Sequence, residues 1–209
     1  MTTAEAAPTS RQRQREQTRG QILAAAARIF ARAGFEAASL AEIASSAGVK
    51  KALVQYHFST KEQLWRETAR HIWQQRNDYL AQQLDDLENQ DALGNMRLGF
   101  TALVEFTREH PYWLWFMFHE AAAGDERQQW LIENCMKDDY RLGEMFVREF
   151  QQRGLIRKGP PQHLLHLISG ALTYNLLVAP STLKATGVDL GTRDSIAEQV
   201  TLLQELLTP

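Results

Sequence analysis

The stretch from Leu40 to Phe58, LAEIASSAGVKKALVQYHF, constrains the chain more than any other, because it reads as two short helices crossing at a tight turn. Ser39-Leu-Ala-Glu42 is a capping-box pattern: the Ser hydroxyl and the Glu side chain satisfy each other's orphan backbone donors, so a helix starts there. Ala44 is small enough to let a second helix approach, and Gly48 can take the positive φ that the turn requires. The second helix runs from Lys50 to about His57, and Ile43, Ala47, Val49, Val54 and Phe58 supply the inward face.

Helix signals recur on both sides of this stretch, and strand signals do not. Ile22, Ala26, Ile29, Phe30 and Ala33 form one stripe of a first helix that starts near Gln17 and is closed by Gly34. Ser59-Thr-Lys-Glu62 repeats the capping-box pattern and launches a longer helix through Trp65, Ala69, Ile72, Trp73 and Leu80. Further breaks fall near Gln90-Asp91, His110-Pro111, Gly124-Asp125, Gly154 to Pro161 and Pro180 to Gly191. The expected fold is all-α, with about nine helices. Residues 1–14 read as a disordered basic arm, with Arg11, Arg13 and Arg15 placed to touch phosphates, residues 15–75 as a three-helix domain around the 39–58 motif, and residues 76–209 as a second helical domain.

Charge is divided along the chain. Residues 1–75 hold 11 Lys and Arg against 6 Asp and Glu, and the remainder holds 12 against 19, so only the front suits a polyanion. Cys135 is the one cysteine, which excludes an internal disulfide and points to a reducing cytoplasm. No apolar stretch of signal-peptide length opens the chain, and the most apolar run, Tyr112 to Phe118, is too short to span a bilayer, so no membrane partner is expected. The main rival class is a helical-bundle enzyme. A di-iron core wants Glu-x-x-His pairs, yet no Glu has a His three residues later, and Gly-x-Ser-x-Gly, Walker-type and His-Glu-x-x-His motifs are missing too. His163 and His166 lie three apart with no carboxylate or Cys beside them, which favours a surface pair over a metal site. No catalytic residue, metal or other cofactor is expected.

The chemistry of the second short helix suits DNA. Lys51 and Gln55, four apart, share an exposed face with Ala52, and Lys50 stands at the helix start, where recognition helices meet base edges. Lys donates to guanine O6 and N7, and Gln pairs with adenine N6 and N7. Ser39, Tyr56, His57 and Lys61 are placed to hold phosphates. Geometry alone leaves a second reading open, in which Lys50 and Lys51 are an ordinary solvated surface.

Thr18-Arg-Gly-Gln-Ile-Leu-Ala-Ala-Ala-Ala-Arg-Ile-Phe30, then Gly34-Phe35, the Ser39-to-Phe58 stretch with its Tyr-His-Phe element, and Ser59-Thr-Lys-Glu-Gln-Leu64 together resemble the N-terminal domain of TetR/AcrR-type repressors. The resemblance implies a homodimer that binds a palindromic double-stranded operator and leaves it when a small molecule enters the second domain. Activation by the same fold is the alternative. The family commonly has an aromatic residue where this chain has Gln55, and often a small or hydroxyl residue where it has Lys50. Both departures lie on the reading face, so they bear on operator sequence.

In the second domain, Pro111 to Glu120 is apolar on every side and must be wrapped by other helices. Its Trp113, Phe116 and Met117, with His119, Glu120, Tyr140, Tyr174 and Asn175 as polar partners, are candidate walls of a pocket for an apolar or aromatic effector, plain core being the competing reading. Leu164, Ile168 and Leu172, with Ile196, Val200 and Leu203, lie on two wide apolar helix faces near the C-terminus. They are the candidate dimer interface, against an intrachain core.

Overall fold

The computed structural model describes residues 9–84 and 91–209. They form nine helices and no strand: α1 Ser10–Ala37, α2 Leu40–Ser46, α3 Lys51–His57, α4 Lys61–Leu84, α5 Ala92–Glu109, α6 Tyr112–Ala123, α7, α8 Pro161–Thr186 and α9 Arg193–Leu207. The α7 helix runs without a break through Glu126–Leu131, a π-helical turn Ile132–Met136 and Lys137–Gln152. The all-α expectation therefore holds.

Several boundaries moved, each for a local reason. The α1 helix begins at Ser10 and not near Gln17, because Thr9 makes a full capping box with Gln12: its Oγ1 accepts from the Gln12 amide at 3.3 Å and its amide donates to Gln12 Oε1 at 2.7 Å. Residues 10–14 of the expected arm are thus helical, while residues 1–8 and the expected break near Gln90 lie outside the described residues. Only half of the box at Ser39 forms. Ser39 Oγ accepts from the Glu42 amide at 3.1 Å, but the Glu42 carboxylate pairs with Arg32. The α4 cap falls one residue later than Ser59: Thr60 Oγ1 accepts from the Gln63 amide at 3.0 Å, and the Ser59 amide donates to Gln63 Oε1 at 2.9 Å.

Two cores organise the chain. The first gathers α1 to α4 and, from the second half of the sequence, Phe106 of α5, α6 and Leu131. The second gathers α5, the C-terminal part of α7, α8 and α9. Packing therefore does not divide at residue 75, because α6 lies against α1 and α4. The junction is close at Gly34, which breaks the helical dihedrals of α1 at φ 73°, ψ 174°. A Cβ at Gly34 would meet His119 Nδ1 at 3.2 Å. Gly34→Ala is therefore expected to lower the unfolding free energy by about 2 kcal/mol, from a backbone region that only glycine occupies readily plus displacement of His119. Gly48→Ala has positive φ but nothing within 4 Å, so it is expected to cost about half as much. Paired urea titrations check the ordering.

The two C-terminal helices correct the expected interface residues. Ile168, Leu172, Ile196, Val200 and Leu203 are buried in the second core, and Leu164 packs against it. The apolar side chains left in solvent are their neighbours, led by Leu167 (65% exposed), Tyr174, Leu202 and Leu206 (61%). Helix α8 also corrects the expectation about bilayer spans: an 18-residue window has mean hydropathy 1.3 with 22% of it buried, so by length and composition it could cross a membrane. One such helix is weak evidence for a membrane, and its inner face already packs in the second core.

Candidate nucleic-acid interface

Helix α3 is held from below and bare above. Val54 and Phe58 are fully buried, whereas Lys51, Ala52, Gln55 and Tyr56 are exposed, with Leu53 beside them at 37%. The crossing that presents this face depends on Gly48. With φ at +67°, its amide donates to Ser45 O at 3.1 Å and the Val49 amide to Ala44 O at 3.0 Å, the paired bonds that close a helix end and reverse the chain. Lys50 is the N-cap of α3, is exposed, and makes no side-chain cap bond, so its ammonium is free of the helix it precedes.

The expected gripping residues surround this face unequally. Ser39 is exposed at the start of α2. Tyr56 is 69% exposed, and its ring meets the His57 ring edge-on at 5.3 Å. The Arg15 guanidinium lies 5.9 Å from the Tyr56 ring, which brings the start of α1 beside the end of α3. Burial, and then the charges of Arg15 and Arg19, hold the His57 imidazole below its ordinary pKa of 6.5. Lys61 is half-buried and engaged: its Nζ donates to Glu36 O at 3.1 Å and sits 4.5 Å from the Phe35 ring centroid.

The eight candidate effector residues are not brought round one cavity. Trp113 and Phe116 are buried in the first core. Phe116 stacks on Trp65 at 5.3 Å, and Trp113 Nε1 donates to Thr107 Oγ1 at 3.2 Å. Met117 packs against that core. Tyr140 lies on α7 and stacks on His166 at 5.7 Å, while Tyr174 faces solvent and Asn175 is half-buried on α8. Two open surface clefts among the described residues, of about 480 and 330 Å³, lie at the start of α1 and between α5 and α9, and none of the eight lines them.

Glu120 does have partners, which sequence reasoning did not anticipate. It is 3% exposed, and Arg127 Nε donates to its Oε2 at 3.3 Å. The same guanidinium reaches Asp125 at 2.6 Å and Glu36 at 3.3 Å, and lies 4.2 Å from the Phe35 centroid. Phe35 thus carries Lys61 and Arg127 on one ring, joining the α6–α7 corner to the start of α4. Further along, Arg76 is buried and pairs with Asp139 of α7 at 2.6 Å, where Trp73 Nε1 also donates at 2.9 Å.

Residues 22–68 match the family model of bacterial regulatory proteins, tetR family. The chain is 26% identical over 168 residues to the HTH-type transcriptional regulator LuxR of Vibrio harveyi, an alignment that covers 79% of this chain and 80% of that protein. Among solved structures, a TetR family transcription regulator from Marinobacter aquaeolei VT8 superposes with a TM-score of 0.72 at 21% identity, covering 93% of this chain and 98% of the other. AibR, solved in complex with isovaleryl coenzyme A and operator DNA, superposes with a TM-score of 0.69 at 18% identity, covering 92% and 98%. The family and these relatives are transcriptional regulators, not enzymes.

Proposed function

This chain belongs to the TetR family of DNA-binding transcriptional regulators, and from that premise we propose that it represses transcription as a homodimer on a palindromic operator and is released by a small molecule. The observation that carries the reading is the bare face of α3, where Lys50, Lys51 and Gln55 stand in solvent while Val54 and Phe58 anchor the helix. Lys50, Lys51, Ala52 and Gln55 face base edges, and Ser39, Tyr56 and His57 hold phosphates. Lys61 serves as a support that ties the start of α4 to Phe35.

The second copy covers Leu167, Tyr174, Leu202 and Leu206, so that α8 and α9 of two chains pack as a four-helix interface. That arrangement sets two α3 helices about one DNA turn apart, ~34 Å. Because Arg76–Asp139 and the Arg127 cluster tie α4 to α6 and α7, a ligand that repacks those helices moves α4 as a lever and changes the spacing. The ligand must prefer the spread state, since equal affinity for both shifts nothing. AibR, solved with isovaleryl coenzyme A and operator DNA, supports pairing this fold with a small-molecule effector, and the apolar or aromatic character proposed for it here rests on the composition of α6 alone.

Fluorescence anisotropy on duplexes tiling the DNA beside its own gene tests the reading. Expected are two chains per site, affinity that falls steeply with salt, and a single preferred palindrome. Gln55→Ala is expected to lose about 1–3 kcal/mol of discrimination at one base pair, roughly 5- to 150-fold, while affinity for scrambled DNA stays near the wild-type value. Absence of salt-dependent binding on any duplex overturns the repressor reading. Unchanged discrimination removes Gln55 from the reading face.

A further inference from the structure

Helix α3 carries a large apolar side chain on the side that is left bare. Successive residues of a helix turn by about 100°, so the buried Val54 fixes where the other side chains of α3 point. Ala52 and Tyr56, two residues to either side of it, lie about 160° away and form the crest that faces solvent. Gln55 and Leu53, one residue to either side, lie about 100° away on opposite flanks of that crest. Lys51 shares the flank of Gln55, four residues on, and the half-buried His57 shares the flank of Leu53.

One flank therefore presents hydrogen-bonding side chains, and the other is led by a leucine. Leu53 is 37% exposed and is not spent in the first core, which takes Val54 and Phe58 from this end of the motif. A single exposed leucine is ordinary on a protein surface. Its place gives this one a use, because a helix docked in the major groove brings its flanks against base edges. Thymine is the one base with an apolar substituent on that edge, its C5 methyl. Over a polar edge Leu53 displaces water and offers no hydrogen bond in return, which costs affinity. Over the methyl it buries carbon against carbon.

We infer that Leu53 is a specificity-determining residue of the operator contact, packing on the C5 methyl of a thymine in each half-site, across the crest of α3 from the base pair that Gln55 reads. The inference rests on the DNA-binding reading above. It adds a selection for thymine that no hydrogen bond supplies. Leu53 has no charge, so it contributes to discrimination and not to the salt-dependent grip on phosphate.

Replacing thymine by uracil removes the methyl and keeps every hydrogen-bonding group of the base pair. Each thymine of the preferred duplex is changed to dU in turn, in both half-sites together. Anisotropy then gives the affinities of the full wild-type chain, Leu53→Ala and Leu53→Asn. At one thymine position wild type is expected to weaken by about 4-fold per half-site, roughly 15-fold for the pair, as for loss of one buried methyl. Leu53→Ala withdraws the side chain from the groove, and Leu53→Asn keeps much of its shape while making it polar. Both should bind the dT and dU duplexes alike at that position, with the wild-type salt slope. The position is exposed, and matching thermal melts keep a folding defect from imitating the effect. If every dU effect seen in wild type persists undiminished in both variants, DNA shape or another side chain is responsible and the inference is overturned. A wild type indifferent to dU at every thymine overturns it as well. Either result leaves salt-dependent operator binding, and with it the DNA reading, intact. If wild type shows no salt-dependent binding to any duplex, the DNA reading fails first and takes the inference with it.

Discussion

Phe116→Ala is expected to lower the unfolding free energy by about 3–5 kcal/mol. The ring is 1% exposed and stands where α6 meets the DNA-binding helices. It stacks on Trp65 at 5.3 Å and 19°, and presents edges to Phe30 at 6.3 Å and Trp73 at 6.5 Å. Removing it leaves a void walled by two tryptophans and a phenylalanine, which are too large to close it by small shifts. Against a total of about 5–15 kcal/mol for a folded protein, that is a fifth or more of the margin. Urea titration reads it as a shifted midpoint at constant slope. If the alanine variant does not fold, Phe116→Leu, expected to cost about 1–1.5 kcal/mol, keeps the measurement available. The result also separates the two readings of the aromatic segment, since a loss below about 1 kcal/mol would return Phe116 to the wall of a cavity.

The second large effect concerns Arg127. Replacing it with alanine leaves the Glu120 carboxyl buried without its cation, and a loss of about 2–3 kcal/mol is expected, at the low end for a broken buried pair because Arg127 is 17% exposed. The diagnostic is rescue. Glu120→Gln in the Arg127→Ala background removes the stranded charge and should recover most of the loss, which a merely steric role for Arg127 would not allow. The pH dependence has a definite sign. Burial raises the Glu120 carboxyl above its ordinary 4.5, with Arg127 pulling the other way. Between the ordinary value and the raised one the folded chain keeps a proton that the unfolded chain has released, so stability falls as pH rises through that window. Loss of Arg127 widens the window, and the single variant should lose more stability than wild type on going from about pH 5 upward. Unfolding curves at several pH values check this, and a pH-independent loss would exclude the stranded-carboxylate account.

Arg127 also bears on how the halves of the molecule communicate. It touches Glu36 and Phe35 at the end of α1, and Phe35 touches Lys61 at the start of α4. A movement of the α6–α7 corner therefore reaches the base of the DNA-reading unit through side chains in direct contact. In the sequence Arg127 and Phe35 are remote, and nothing in either local pattern links them.

The parts of the protein that were legible in the sequence are those decided within a few residues. The turn at Gly48, the cap at Ser39, the break at Gly34 and the exposed trio Lys50, Lys51 and Gln55 all follow from local dihedral preference, local hydrogen bonds and helical period. Where the local signal was doubled it misled slightly: at α4 both Ser59 and Thr60 can cap, and tertiary placement selected Thr60. At the start of α1 the missing apolar period hid a helix that Thr9 and Gln12 stabilise by themselves.

Which face of an all-apolar helix turns inward was beyond the sequence. On α8 the neighbours Leu167 and Ile168 have the same hydrophobicity signal, yet one is 65% exposed and the other 5%. Periodicity assigns a face only when the opposite side is polar, and here it is not. The aromatic run of α6 posed the same problem, and packing against α1 and α4 placed Trp113 and Phe116 in the core that the DNA-binding helices share. The sequence by itself determined an all-α chain with a helix-turn-helix presenting two lysines and a glutamine. Only the tertiary structure decided which apolar surfaces are spent inside the chain, which stay in solvent, and that Arg127 and Glu120 meet, because those outcomes depend on contacts between residues far apart in sequence.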